Sequence, residues 1–399
     1  LNLCKRVHNA NYYNSIYDIP KHIWNELDCE NNLYFNPKYL SAIAESHPNI
    51  DFRYVVLFDD NKNAKAFATI QVVHFYLDSV QNELQSFIEQ IKKLGRKFGI
   101  LSKQTSFKIL TCGNTFVSGE HGFFIKGNQN KQKVIKELAK SVVHLVDKEN
   151  AFAYKISGFM LKDFVQESLS MTDELLEYHY HSFNVEPNML LAIDKEWIDF
   201  NGYLAAMKTK FRVKAKKAME LSLPLEIVEI NMSNLKDYLP QMKKLYKNVS
   251  SKAGFNLGTF NLESYQKLKQ NLGDNYIIRG YILKQKLVGF LSGLINQNQL
   301  DAHFVGIDYK YNRKYAIYQR MLYDYISIAL EKKVEHINFG RTASEIKSSV
   351  GAVPQDLTIY LRHKRHIPNK ILSFFINKIQ PTPFQQKFPF KAKTLVVKP

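Results

Sequence analysis

Cysteine is scarce in this chain. Cys4, Cys29 and Cys112 are the only three among 399 residues; none forms a CxxC pair or stands at metal-ligand spacing from a histidine. A disulfide framework and a zinc site are therefore not expected, no metal is called for, and a reducing compartment fits the composition. Glycine (17) and proline (12) are too few for a collagen-like or low-complexity chain. No apolar run reaches the 18 or so residues that a membrane-spanning helix needs, and the opening LNLCKRVHNANYYN lacks the apolar core of a signal peptide. These absences lead to the expectation of a cytoplasmic protein. Acidic residues are also in deficit, 37 Asp and Glu against 55 Lys and Arg. No Walker A pattern is present, which argues against phosphoryl transfer. The signatures of helix-turn-helix, RRM, KH and zinc-finger modules are missing too, so a basic pI of 9.4 alone does not indicate a sequence-specific nucleic-acid binder.

What is present is apolar and aromatic: 45% hydrophobic and 13% aromatic residues describe a packed globular chain. Its length suits two domains rather than one core. The excess positive charge is concentrated. Lys208, Lys210, Arg212, Lys214, Lys216 and Lys217 fall between Met207 and Met219 with no acid among them, and eight further Lys and Arg lie between His363 and Pro399, again without an acid. Such focusing points to an anionic partner: a phosphate-bearing cofactor, an acyl-carrier protein, a tRNA or an anionic membrane surface. A solvated helix face and a loose tail are the plain alternatives. Within the second segment, Ile371, Leu372, Phe375, Ile376 and Ile379 share one helical side, as in a peripheral membrane helix or one packed on the protein's own core.

Two stretches follow the same plan. FNPKYLSAIAESHPNIDFRYVVLFDDNKNAKAFATIQ from Phe35 and FNLESYQKLKQNLGDNYIIRGYILKQKLVGFLSGL from Phe260 both read as helix, strand, tight turn, strand. The turns fall at Asn61 to Asn63 and at Lys284 to Lys286. A further helix and strand follow in each half, over Lys136 to Phe159 and Gln319 to Thr342, so each half is expected to hold a mixed sheet covered by helices. An extra helical segment is expected near Asn82 to Lys97. The resulting division is residues 1–171, residues 172–362 carrying the main site, and a basic tail at 363–399.

Several polar residues stand out at strand ends. In GLINQNQLDAHFVGIDY, alternation puts Gln299, Asp301, His303 and Val305 on one strand face and Leu300, Ala302 and Phe304 on the other. A carboxylate beside an imidazole can orient the ring and favour its protonated form, which makes Asp301 and His303 a candidate acid/base pair; a satisfied or solvent-facing strand histidine is the alternative. In FGRTASEIKSSVGA, Gly340 can supply an unusual φ, and Arg341 then leaves the C-terminal edge of a strand, the usual place for an α/β site. Arg341 or Lys347 could grip a carboxylate or phosphate, against a plain surface ion pair. In the first half, GNTFVSGEHGF places Gly113, Gly119, Glu120, His121 and Gly122 in a loop that either approaches a ligand or only turns the chain.

Three stretches, CGNTFVSGEHGF, PNMLLAIDKEWIDFNGYLAAMKTKFRVKAKKA, and DAHFVGIDYKYNRKYAIYQRML with FGRTASEIKSSVGAVP, carry a resemblance to the FemAB-like branch of the GNAT superfamily. The resemblance covers most of residues 30–362 and implies two tandem GNAT-like α/β domains, each a mixed α+β sheet of the acyl-CoA N-acyltransferase type. It also implies transfer of an acyl or aminoacyl group to an amine, with an acceptor in the cell envelope for several members. Glu345, Lys347 and Gly351 resemble family residues in the same segment. Tyr318, on the helix after the family's phosphate turn, would donate its hydroxyl to a leaving thiolate, or else belong to the core stripe with Met321, Leu322 and Tyr325. Where enzymes that use coenzyme A hold its pyrophosphate on a Gly-rich turn, this chain reads Tyr311-Asn312-Arg313-Lys314-Tyr315-Ala316, without glycine. Arg313 and Lys314 could replace the missing backbone donors. The donor implied is a coenzyme A thioester, an acyl-carrier protein or an aminoacyl-tRNA; the competing reading is a GNAT-like fold that only binds an envelope precursor or RNA.

Overall fold

The structure is a computed structural model that describes residues 9–76, 106–149, 155–252, 258–376, 379 and 381–391. The helix expected near Asn82 to Lys97 lies outside these residues. In chain order the strands are β1 (Ala10–Tyr13), β2 (Asp51–Phe58), β3 (Ala64–Tyr76), β4 (Ser106–Cys112), β5 (Phe123–Ile125), β6 (Ile156–Phe164), β7 (His181–Asn184), β8 (Asn188–Ala192), β9 (Glu226–Glu229), β10 (Tyr276–Leu283), β11 (Lys286–Asn296), β12 (Gln299–Ile307), β13 (His336–Asn338), β14 (Val353–Gln355) and β15 (Thr358–His363). They form two sheets of one design. One runs β1-β2-β3-β4-β6-β15-β7, with β5 added beside β3; the other runs β9-β10-β11-β12-β13-β8-β14. In both, every neighbouring pair is antiparallel except β4 with β6 and β12 with β13, which are parallel. A parallel pair needs a crossover, and a helix supplies it each time: Lys131–Lys148 in the first sheet, Ile317–Glu331 in the second.

The hairpins follow from their turns. Lys284 and Gln285 both take positive φ, 48° and 65°, as the two-residue link between β10 and β11 requires. The crossover helix of the first sheet begins where Asn130 caps the Lys133 amide (2.9 Å). Its residues Val134, Ile135, Leu138, Val142, Leu145 and Val146 are fully buried at three and four spacing, each worth about 1.5–3 kcal/mol.

The chain divides into two units that interleave in sequence: Leu1–Glu186 with Lys252–Asn271 and Asp356–Pro381, and Pro187–Ser251 with Leu272–Gln355 and Thr382–Pro399. This differs from a cut at Thr172. After β7 the chain passes directly to β8 in the second sheet, and β15 returns from beyond the second sheet to fill the gap between β6 and β7 in the first. Each sheet thus takes its sixth strand from the other's stretch of sequence. The helix Ser264–Leu272, expected to open the second copy, has most of its length in the first unit. Asn261 N donates to His47 Nε2 (2.9 Å), Asn261 Nδ2 to Ser46 O (2.9 Å), and Asn271 Nδ2 to Lys38 O (2.8 Å).

The expected tail is also apportioned. The helix His366–Ile376 packs on the first sheet, where Asn369 accepts from His363 N and donates to the His179 carbonyl. Residues 382–391 belong to the second unit. There Lys208 N donates to Pro389 O (2.7 Å), Lys391 N to Ala206 O (3.0 Å), and Phe390 packs on Trp197 and Tyr203. Among the described residues, no helix is long and apolar enough to cross a membrane.

Candidate active site

In the second unit the parallel pair β12 and β13 meets over three residues: Gln299 with His336, Leu300 with Ile337, and Asp301 with Asn338. β13 then ends, while β12 continues to Ile307. The two strands part at Asp301 and Asn338, and His303 is the next residue along that face of β12. Sequence alternation places Phe304 on the opposite face, but the structure does not. The register of β12 against β11 slips between the Gly293–Ala302 and Leu291–Val305 pairs, leaving two residues, His303 and Phe304, opposite Ser292. Such a bulge sets consecutive side chains on one side. The rings of His303 and Phe304 lie 4.3 Å apart, Phe304 meets Tyr246 of the helix Leu235–Ser250, and Val305 moves to the opposite face with Leu300 and Ala302. Ser292 secures the bulge: its Oγ accepts from Phe304 N and donates to Phe304 O, both at 3.0 Å.

Asp301, fully buried, accepts from Gln299 Nε2 at 2.7 Å. His303 Nδ1 lies 3.3 Å from the Tyr276 hydroxyl. Tyr276 sits on β10 opposite Leu294, which itself faces Asp301, so one row across three strands brings it to the opening. With Nδ1–H donating to Tyr276, Nε2 is the ring's proton acceptor; with the hydroxyl donating, Nε2 carries the proton.

Past β13 the backbone is strained. Gly340, Thr342 and Ala343 take φ of 70°, 65° and 52°. The first suits glycine, as its sequence position suggests; the β-branched Thr342 costs about 1–3 kcal/mol there, a strain that clusters at functional sites. Lys347 holds the loop. Only 5% exposed, it donates from Nζ to the carbonyls of Gly340 (3.2 Å) and Arg341 (2.6 Å). Burial lowers its pKa to about 7. Both bonds survive deprotonation, because a neutral amine keeps two N–H donors and gains a lone pair. Rather than reaching outward for an anion, Lys347 is thus turned in on the backbone, while Arg341 is half-buried. Glu345 is exposed and pairs with Lys387 at 2.9 Å. Gly351, at φ 107°, leaves space that a Cβ would lose to Phe390.

At the helix entry, Asp308 caps the short helix Tyr309–Tyr315, Ala316 breaks the chain at φ 48°, and Ile317–Glu331 follows. The Tyr318 amide, one of the N–H groups a pyrophosphate turn would aim at its ligand, is already taken by Asn312 Oδ1 (2.9 Å). The turn thus has no glycine, and one of its amides is bonded within the chain. Arg313 and Lys314 are exposed beside it. Tyr318 packs against the core cluster that includes Met321, Leu322 and Tyr325, and burial raises its pKa, Tyr309 acting in the same direction.

The corresponding place in the first unit is closed by its own loop. After β4, residues 113–122 fold over the end of β6. Lys162 donates to Asn114 O (2.7 Å) and pairs with Asp163, and Gly119 N donates to Asp163 Oδ2. Glu120 accepts from Val165 N (2.7 Å). His121 stacks 3.8 Å from Tyr34, and burial, with Lys162 adding, lowers its pKa to about 3. Of the cysteines, Cys29 and Cys112 are buried, which raises both thiols to about 12 and removes them as nucleophiles at neutral pH.

Tyr276, Ser292 and Asn338, whose Oδ1 accepts from Gly340 N (2.8 Å), complete the opening and are missed by sequence reasoning. Counting back from the Lys284–Gln285 turn would pair Tyr276 with Gly293; a slip between Tyr281 and Ile282 pairs it with Leu294 instead.

The mixed sheet whose parallel strands part beside a helix entry, present twice, is the GNAT-type fold in tandem, of the FemAB-like kind. Solved structures of this fold resemble the chain. A tandem GNAT protein from the clavulanic acid biosynthesis pathway has a TM-score of 0.53 at 7% identity, covering 90% of this chain and 99% of that one. FemX gives 0.51 at 10% identity, over 84% and 94%. L-PGS from Bacillus licheniformis gives 0.50 at 10% identity, over 90% and 96%. No protein-family model and no curated protein matches the sequence.

Proposed function

We propose that the protein is an N-acyltransferase that moves an acyl or aminoacyl group from a phosphate-bearing donor to an amine, at the opening between β12 and β13. The observation that carries this reading is the parting of the strands at Asp301 and Asn338, with the His303–Tyr276 pair just beyond it and the strained Gly340–Ala343 loop alongside. Transfer to an amine requires a neutral nucleophile, a polarised carbonyl and a proton for the leaving group. His303 Nε2, with Nδ1–H held by Tyr276, takes the proton of the amine as its nitrogen bonds to the acyl carbon, and returns it to the donor's sulfur or oxygen as the bond from that atom to the acyl carbon breaks. Lys347 spends two N–H groups on Gly340 and Arg341; in its cationic form the third N–H serves the oxygen that gains charge. Arg313 and Lys314 bind donor phosphate through side chains.

The capped Tyr318 amide favours a donor carried on a macromolecule, an acyl-carrier protein or aminoacyl-tRNA, over a free coenzyme A thioester. The resemblance of the sequence to the FemAB-like branch supports an acceptor from the cell envelope or a lipid. The test is a panel of acyl-coenzyme A, acylated carrier protein and aminoacyl-tRNA with amine-bearing envelope precursors and lipids, read by mass spectrometry. An amide product from a carrier-bound donor is expected. Binding of precursor or RNA without product from any donor would instead identify a GNAT-like binding module.

A further inference from the structure

The helix Thr209–Leu221 buries Ala215 and Ala218 and packs against the helices Tyr309–Tyr315 and Ile317–Glu331 of its own unit. At 100° per residue the side away from that contact carries Val213 and Glu220 at its centre, with Lys210, Lys216 and Lys217 around them and Lys214 and Leu221 toward one edge. All four lysines are exposed, and among the described residues none is in an ion pair. Aliphatic side chains share this face: Val213 is 57% exposed, and Leu223, just past the helix end, 76%.

We infer that this face docks on an anionic lipid bilayer, a contact that goes beyond the transfer reading and does not depend on it. Four exposed lysines against the single carboxylate of Glu220 leave the face net positive, which matches a negatively charged surface. Exposed Val213, Leu221 and Leu223 distinguish a bilayer from RNA: aliphatic groups gain from entering the acyl boundary while lysine stems carry their ammonium groups up to the headgroups. A nucleic-acid face would instead present aromatic rings for stacking, and none of these outward positions is aromatic. Since no described helix can cross a membrane, the contact is peripheral.

The test is flotation of the full chain with vesicles of phosphatidylcholine alone and of an equal mixture with phosphatidylglycerol. Wild type should float only with the anionic vesicles and be released by salt, because a Debye length of about 8 Å at physiological strength screens exposed charge. A variant with Lys210→Gln, Lys214→Gln, Lys216→Gln and Lys217→Gln should lose about a hundredfold or more in partitioning, roughly fivefold per lysine. A second variant, Val213→Asp with Leu223→Asp, keeps every lysine and should lose about tenfold or more. Equal flotation with both vesicle types, undiminished flotation of either variant, or capture by tRNA that anionic vesicles cannot reverse would overturn the inference.

Discussion

Lys347 titrates in the folded protein near 7 and in the unfolded chain near 10.5. Between those values the unfolded state holds one proton more, so stability rises with pH through that window; below pH 7 the lysine is protonated in both states and its slope vanishes. Chemical denaturation of wild type and Lys347→Met across pH 6 to 10 should therefore give a difference that grows by at most about 1.4 kcal/mol per pH unit above pH 7. A difference independent of pH would show that the folded lysine is not depressed. The substitution also removes the clamp on the Gly340 and Arg341 carbonyls, so donor or acceptor binding should weaken in parallel. Tyr276→Phe removes the hydroxyl beside His303 Nδ1 but not the ring. It should slow turnover by about tenfold, less than loss of the imidazole itself, and a rate equal to wild type would separate Tyr276 from the chemistry.

The segment 382–391 illustrates why elements near a chain end need not be loose. Phe390 fills the space above Gly351 and packs at a tilt against Trp197, ring centroids 4.9 Å apart, so Phe390→Ala should cost about 2 kcal/mol or more, measurable as a lower denaturation midpoint. A change within error would mean the segment is not docked in solution. Helices, hairpins and the duplicated order were legible in the sequence because they depend on local periodicity and turn residues, as at Lys284–Gln285. The opening was legible only in part. His303 and Asp301 lie on a strand whose alternation is visible, whereas their contacts depend on two one-residue slips, at Ser292 and at Tyr281, which reverse the face of every residue beyond them. The exchange of β8 and β15 was not legible, because a short apolar strand carries no mark of the sheet it joins.

That exchange governs the whole molecule. A fragment of residues 1–171 lacks β15, β7 and the Asn261–Asn271 segment, and it should fail to give the near-ultraviolet signals of a packed core. Unfolding the second unit alone would turn 187–251 and 272–355 into loops of roughly 65 and 84 residues within the first, each costing on the order of 4 kcal/mol in closure entropy. Against a stability of about 5–15 kcal/mol, this couples the units, and calorimetry should show one transition rather than two. Within this linked fold Lys162, Asp163 and His121 of the first unit bond and pack within their own loop, and the proposed site is the opening of the second unit. The most direct measurement is the single-turnover rate of His303→Ala beside wild type, with a donor and acceptor from the product screen and the thermal midpoint of both proteins recorded. The β12–β13 site predicts a rate lower by about a hundredfold or more at an unchanged midpoint; a wild-type rate from the folded variant would contradict it.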